Sequence, residues 1–486
     1  MTVATTGLNA PPARRLTRGT MAAYGFGSVA YGVKDSGFGT FLLLFYSQVL
    51  GVPSATVGLV VMLALFLDAV IDPAVGFFSD RTRSRWGRRH PWMYASAIPI
   101  AIGWVALWNP PVMDQTATLI WLFVWAVVVR TAVSCFEVPS VALTPELSSD
   151  YDERTRIMAY RYLFGWAGGL TIMIAAYLYF LAPAPASASR AAFGAMGIAG
   201  AVLIAGAILV SALGTHREIP NLPRSVPVTG TLGDAFRELL ETVRNKGFVV
   251  LMLAGLCAYT LQGIGYALSN YMYAFVWRIE GPWLVYVVAF LFVGVVLAFF
   301  LAPRVTKRVS KPLAGITFAL FAALFHTGPY WLRLAGVIAD ASTPGSLAIY
   351  LSCVVLGTMC SVSGFIIGGS MMADVVEDSE AKTGRRSEGV FFAGSFFVQK
   401  CTSGLGIFAA GVILAVAGFP AGAVPGQVSV ETIDRLTLIF GGIYLTLAAI
   451  GAFTYSFFPF GRAEHEARLG RLAGAASVDA APREPA

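Results

Sequence analysis

Charge is scarce in this chain: only 13% of its 486 residues are Asp, Glu, Lys or Arg, against 57% hydrophobic ones. An ordinary soluble domain carries about 25% charged residues, so that class is excluded. Apolar runs long enough to span a bilayer recur instead, which defines a polytopic membrane protein. Cysteine is scarce too: Cys135, Cys257, Cys353, Cys360 and Cys401 all fall inside apolar runs, their number is odd, and no CxxC or Cys/His spacing occurs. They read as packing residues, with neither a disulfide framework nor a metal site. No Gly-rich phosphate loop, catalytic triad or HExxH helix is present. The chain is therefore expected not to be an enzyme and to need no cofactor. The net charge of +7 sits in short loops between apolar runs, a distribution that argues for membrane orientation and against a nucleic-acid partner.

What is there is a series of twelve apolar runs, near 20–46, 54–78, 91–109, 116–143, 158–181, 193–214, 247–275, 284–303, 313–333, 345–373, 388–418 and 434–458. Alternate loops are basic. Arg14, Arg15 and Arg18, the Arg81–Arg89 cluster, Arg154 and Arg156, the 217–246 segment, Arg304 to Lys311, Lys382 to Arg386 and the tail arginines all share one side; the other has only Arg190, Arg278, Arg333 and Arg435. Both termini are thus expected in the cytoplasm, and the N-terminal arginines followed by a long span predict a first transmembrane helix rather than a removed signal peptide. The polar break at 215–246, with a short amphipathic helix over 232–243, separates bundles at 20–214 and 247–458, flanked by tails at 1–19 and 459–486. The basic loop after the second run ends at Pro91 and that after the eighth at Pro312, so the halves echo each other. Twelve transmembrane helices in two parallel six-helix bundles predict an all-α membrane protein of the major facilitator fold, with its site at the midplane.

A few charges survive inside the runs. Asp68 and Asp72 are four residues apart on one helix face, just before Pro73. A charge at bilayer depth costs roughly 2.5–3.5 kcal/mol on insertion scales, so such residues face water or a partner. Two adjacent carboxylates further call for a cation or a proton between them. Asp68, Asp72 and the nearby basic run read as a cation site beside a cytoplasmic gate. The other buried charges are Lys34, Asp35, Arg130, Glu137, Arg161 and Lys400. Arg130, Ser134 and Glu137 fall at i, i+4 and i+7, one polar stripe; Glu137 either binds substrate hydroxyls or neutralises Arg130 through water. Lys400, about 18 Å into the eleventh run, has Asp68 and Asp72 as its natural counter-charges. Trp125, Tyr266, Tyr271 and Trp277 are candidates to stack on a sugar, with packing as the plainer role, and His326 reads as packing. The tract from Asp374 to Gly389 reads as a loop that either latches against Arg81–Arg89 or is simply solvated.

Four motifs in order, Asp68-x-x-x-Asp72-Pro, Arg81-Thr-Arg-Ser-Arg-Trp-Gly-Arg-Arg-x-Pro, Ser149-Asp-Tyr-Asp-Glu-Arg-Thr-Arg156 and Lys382-Thr-Gly-Arg-Arg-Ser-Glu-Gly-Val-Phe-Phe, resemble the melibiose-permease-like glycoside–pentoside–hexuronide:cation symporters over about residues 20–460. The resemblance implies cation ligands at Asp68, Asp72 and Ser134, with Na⁺ held by Asp68 and Asp72 if sodium is the coupling ion. It also implies sugar contacts at Lys34, Asp35, Glu137 and Arg161, and a coupling role for Lys400. Three departures stand out: Glu137 replaces an aspartate, Val141 and Val133 replace aromatic residues found in galactoside carriers, and Arg130 adds a charge.

The expectation is a secondary symporter in a bacterial cytoplasmic (inner) membrane, monomeric, its partners a small-molecule substrate and the lipid bilayer. Na⁺ or H⁺ entry would drive uptake of a sugar or glycoside. Arg130 would join the substrate-binding set, and Arg81, Arg85, Arg88, Glu377 and Arg385 would form the cytoplasmic gate. A lysophospholipid or other amphiphile as substrate, and a non-transporting membrane sensor, are the competing functions.

Overall fold

The computed structural model describes residues 16–459 apart from 149–150, 183–184, 186–187, 223–232, 234–236, 238–239, 280, 282 and 384–387. Among the described residues every regular element is helical. The described helices form twelve rods. α1 covers 18–49 and is a composite: Arg18–Phe26, Ser28–Ser36, a π turn at Gly37–Phe41, Leu42–Leu44 and a second π turn at Phe45–Val49. The others are α2 (Ser54–Arg81), α3 (His90–Trp108), α4 (Gln115–Leu147), α5 (Tyr151–Ala175), α6 (Arg190–His216), α7 (Lys246–Tyr271), α8 (Trp283–Thr306), α9 (Lys311–Leu334), α10 (Pro344–Thr383), α11 (Glu388–Val416) and α12 (Val430–Tyr455). π turns at Ala176–Phe180 and Met272–Val276 extend α5 and α7.

Each of the eleven rods α2 to α12 is long and apolar enough to cross a bilayer. α1 matches them only as a composite, and two of its breaks fall on glycines: Gly27 separates the first two pieces, and Gly37 and Gly39 lie in the first π turn. The helix ends follow ordinary capping chemistry: Asp114, Ser189, Asn245 and Ser429 each accept a backbone N–H from the first turn of α4, α6, α7 and α12.

The packing pattern contains an internal repeat. In the first half, α2 packs on α4, α3 on α4 and α6, and α1 on α5 and α6. Each of these pairs recurs six rods later: α8 with α10, α9 with α10 and α12, and α7 with α11 and α12. The two halves then meet through α2 with α11, its counterpart α8 with α5, and α1 with α7. That is two equivalent six-helix bundles around a pseudo-two-fold axis, as the paired basic loops predict. Close approach of α1 and α5 depends on Gly32, where an added Cβ would fall 1.9 Å from the Gly165 carbonyl oxygen.

One expected loop is corrected. Residues 374–383 are the last turns of α10, and α11 begins at Glu388, so the charged tract is mostly helix. At 40 residues α10 is about 60 Å long, twice the apolar thickness of a bilayer, so its charged last turns, with helix-forming Glu377, Glu380, Ala381 and Lys382, extend past the length a span requires. Of the amphipathic helix expected over 232–243, residues 232, 234–236 and 238–239 lie outside the described ones; 233, 237, 240 and 241 are helical, and Thr242–Arg244 forms a 3-10 turn. The tails at 1–15 and 460–486 also lie outside them.

Candidate substrate and cation site

The apolar run from Ala55 to Leu67 carries α2 into the middle of the molecule and delivers Asp68 and Asp72 there. Pro73 continues the helix but has no N–H, which leaves the Ala69 carbonyl between the two carboxylates without its intrahelical donor. Asp68 is 2% exposed and fully engaged. Its Oδ2 accepts from Arg130 Nε at 2.8 Å and lies 2.7 Å from Arg130 Nη2, and its Oδ1 accepts from Ser134 Oγ at 2.8 Å. From the other half, Lys400 Nζ on α11 lies 3.0 Å from Asp68 Oδ2 and 2.5 Å from Asp72 Oδ2. Asp72 Oδ1 is buried with no hydrogen-bond partner. Two carboxylates and two cations form one neutral quartet, which joins α2 and α4 to α11 across the interface between the halves.

The stripe on α4 is directed as its spacing predicts, but Arg130 finds its partner in Asp68 on α2 and not in Glu137. Glu137 is half-buried and within electrostatic reach of Lys34 and Lys400. On α1, Lys34 is 2% exposed, with its ammonium 2.9 Å from Asp35 Oδ1 and 4.4 Å from the centre of the Tyr31 ring. The Asp35 side chain is 45% exposed. A half-exposed carboxylate in mid-rod faces water rather than lipid, so Asp35 marks an aqueous cavity. Arg161 on α5 donates to Ser140 Oγ at 2.7 Å and lies over the Tyr24 ring. Ser140 and Tyr24 were not singled out in the sequence. Tyr24 also bonds the Ser140 carbonyl and the Thr144 hydroxyl, so it braces the helix beside Arg161.

The aromatic candidates divide. Trp277 is fully buried against Tyr330 and Tyr350, and Tyr271 against Phe419, so both are packing residues. Trp125 packs against Trp121 with the rings tilted by 56°, and His326 lies flat on Tyr444 with Nδ1 at the Ala322 carbonyl. Tyr266 differs: it is 46% exposed on α7, beside Gly39 of α1 and within electrostatic reach of Asp35. Val133 is buried, whereas Val141 is 43% exposed.

At the end carrying the basic loops, Arg88 Nη2 donates to Glu146 Oε1 at 2.8 Å, and Arg89 reaches the same oxygen at 3.0 Å as well as Asp80 and the Ser79 hydroxyl. Glu146, at the foot of α4, is thus the anchor of the Arg81–Arg89 loop; an acid directly after Pro145 at the end of an apolar run was the available signal. Arg81 lies over Phe77 and Arg85 over Trp86. On α10, Asp374 pairs with Lys311 at 2.6 Å, and Asp378 accepts from Asn245. Glu377 sits between them on the same helix, and Arg385 lies outside the described residues. Glu146→Gln should loosen the 82–89 loop and speed its cleavage in limited trypsin digestion; Glu431→Gln, which breaks only the exposed pair with Arg435, should leave that rate unchanged.

The opposite end is closed by contacts between the halves. Ser47 bonds Tyr271, and Asn270 donates to the Thr40 carbonyl (2.9 Å) and accepts from Tyr177 (3.1 Å). Gln48 donates to the Pro420 carbonyl and accepts from the Ala423 N–H, and Ser54 donates to the Gly411 carbonyl at 2.9 Å.

Two repeated six-helix bundles, closed at one end and sharing buried charges at mid-depth, define a membrane protein of the major facilitator fold. The family model described as MFS/sugar transport protein matches residues 23–462, and the chain belongs to that family. An uncharacterized symporter of Synechocystis is 30% identical, with 85% of this chain and 88% of the relative covered. The isoprimeverose transporter of Lactiplantibacillus pentosus is 25% identical over 82% of this chain and 80% of its own. Among solved structures, the inward-open xylose transporter XylE of Escherichia coli has the same fold, with a TM-score of 0.58 at 12% identity, over 91% of this chain and 96% of that one.

Proposed function

We propose that this chain is a secondary symporter of the cytoplasmic membrane, coupling entry of Na⁺ or H⁺ to uptake of a sugar or glycoside by alternating access, with both termini cytoplasmic and a monomer as the working unit. The observation that carries it is the quartet of Asp68, Asp72, Arg130 and Lys400, which spans the two halves at mid-depth. An ion pair across a moving interface makes rocking depend on charge balance. A coupling cation acting on the Asp68–Asp72–Ser134 group competes with Lys400, and a released Lys400 no longer ties α11 to α2. Substrate hydroxyls have donors and acceptors in Lys34, Asp35, Glu137 and Arg161, and Tyr266 offers a sugar ring an exposed aromatic face. Ligands move the equilibrium only through differential affinity for the two states. The relatives named as symporters and as an isoprimeverose transporter support the class. One observation favours a second substrate, an amphiphile such as a lysophospholipid: apolar Val141 is exposed where galactoside carriers have an aromatic ring.

The test is uptake of labelled sugars, glycosides and lysolipids into proteoliposomes under imposed Na⁺ or H⁺ gradients. Sugar uptake should follow one gradient and fall to background in Asp72→Asn. Uptake of lysolipid alone would replace the sugar, and undiminished uptake by Asp72→Asn would remove the quartet from coupling.

A further inference from the structure

The quartet contains one cation more than coupling by sodium can use. A sodium ion between Asp68 and Asp72 needs oxygen lone pairs and a net negative site. Asp68 offers little of either: its Oδ2 is fully taken and its charge is matched by two cations, leaving at most one lone pair on Oδ1. Arg130 takes its Oδ2 through Nε and Nη2, Ser134 takes its Oδ1, and Lys400 adds a third charge contact, all around a carboxylate that is 2% exposed. Arg130 is itself 5% exposed and cannot swing into water, and its guanidinium is further fixed by the Phe38 ring, 5.4 Å away. A guanidinium is always charged and grips a carboxylate through two nitrogens. With Lys400 serving Asp72, the four charges already cancel, so an added Na⁺ would leave a net positive charge in a low-dielectric site.

We infer that Arg130 is the ion-selectivity residue of this transporter: it occupies permanently the carboxylate that a sodium ion would have to share, so the native protein does not bind Na⁺ at Asp68 and Asp72. Arg130 thus acts on the ion site, although its place on the α4 stripe also suits a substrate contact. Removing its charge leaves the group one positive charge short, frees Asp68 Oδ2 on that side, and leaves the unpartnered Asp72 Oδ1 one turn away. Those oxygens are the donors a hard cation requires. The inference rests on the proposed symport reading, but its direct test uses no substrate.

The experiment is the thermal unfolding midpoint of the purified, detergent-solubilised full chain, titrated with NaCl against KCl at equal ionic strength. The wild type and R130K, which keeps the charge, should respond alike to both salts. R130Q should show a saturable, sodium-specific rise, with Na⁺ affinity about tenfold or more above the wild type, since a unit charge is removed within contact distance. R130M serves the same purpose if R130Q does not purify. A sodium-specific rise in the wild type, the same rise in R130K, or none in either neutral variant would overturn the assignment. Proteoliposome uptake separates the two ideas: absence of substrate uptake under every gradient counts against symport and leaves the sodium titration standing, whereas Na⁺-driven uptake by the wild type counts against the role of Arg130 alone.

Discussion

Replacing Asp68 by alanine is expected to destabilise the protein by about 3–5 kcal/mol and to abolish gradient-driven uptake. The cost follows from what the carboxylate holds. Arg130 is buried, and the interactions that replace its hydration come from Asp68 Oδ2 and the Phe38 ring. Ser134 donates to the other oxygen, and Lys400 loses one of its two partners. Truncating one member of a buried pair leaves its partner's charge uncompensated, a far larger penalty than the net worth of the pair. Replacing both members by apolar side chains of suitable size is often neutral. Asp68→Leu combined with Arg130→Leu is therefore expected to recover most of the lost thermal stability. Lys400 still has Asp72 in that variant, and the net charge of the group is unchanged. Uptake should stay absent, because in the proposed mechanism Asp68 is the carboxylate through which ion and substrate binding are linked. Thermal melts of the three purified proteins, with uptake measured in parallel, check both statements. Equal stability of the single and double variants would mean that the guanidinium is solvated in place and that the quartet is not a closed electrostatic unit.

Much of this arrangement was legible in the sequence for reasons that are physical and local. A bilayer imposes length and apolarity on each span, so twelve rods could be placed from runs of residues alone. A lysine about 18 Å into a span must find carboxylates, and Asp68 and Asp72 were the candidates; Lys400 meets both. Arg130 was harder. Its spacing gave the face of α4 but not which helix that face meets, so the stripe left Glu137 as its nearest acid in sequence, whereas packing of α4 on α2 supplies Asp68. The loop anchor Glu146 and the brace Tyr24–Ser140 escaped for the same reason: each depends on two helices far apart in sequence. The division of α1 into α and π pieces had a local signal in its glycines, but glycine is common in membrane helices and does not by itself predict a change of hydrogen-bond register. The helical extension of α10 was hidden by charge, which marks the exit from the bilayer and not the end of the helix.

The closed end of the molecule should be the place where a single methyl-bearing side chain changes the conformational equilibrium most. Gly411 on α11 packs against the start of α2 so closely that an added Cβ would fall 2.3 Å from the Ser54 carbonyl oxygen and 3.2 Å from Ala55 Cα. Both are backbone atoms, which cannot rotate away, and Ser54 returns a hydrogen bond to the Gly411 carbonyl. Gly411→Val therefore forces the halves apart at this end while the bundle interiors keep their packing. Overpacking typically costs about 1–3 kcal/mol. That cost falls on the closed state, because in the state where α2 and α11 have separated the valine meets no wall. At 1.4 kcal/mol per factor of ten, the closed-to-open ratio should fall by roughly fivefold to 150-fold. Spin labels at Pro53→Cys and Val424→Cys, both at exposed positions of this end, would report the change as a longer distance distribution in a background lacking the five native cysteines. Transport should slow, since alternating access requires both states to be populated, and the slowing should appear in the maximal rate before it appears in substrate affinity. Gly442→Val is the control, because nothing lies within 4 Å of an added Cβ there. An unchanged distance distribution in Gly411→Val would show that α2 and α11 yield as a pair without parting, and the α2–α11 contact would then be a hinge rather than a gate.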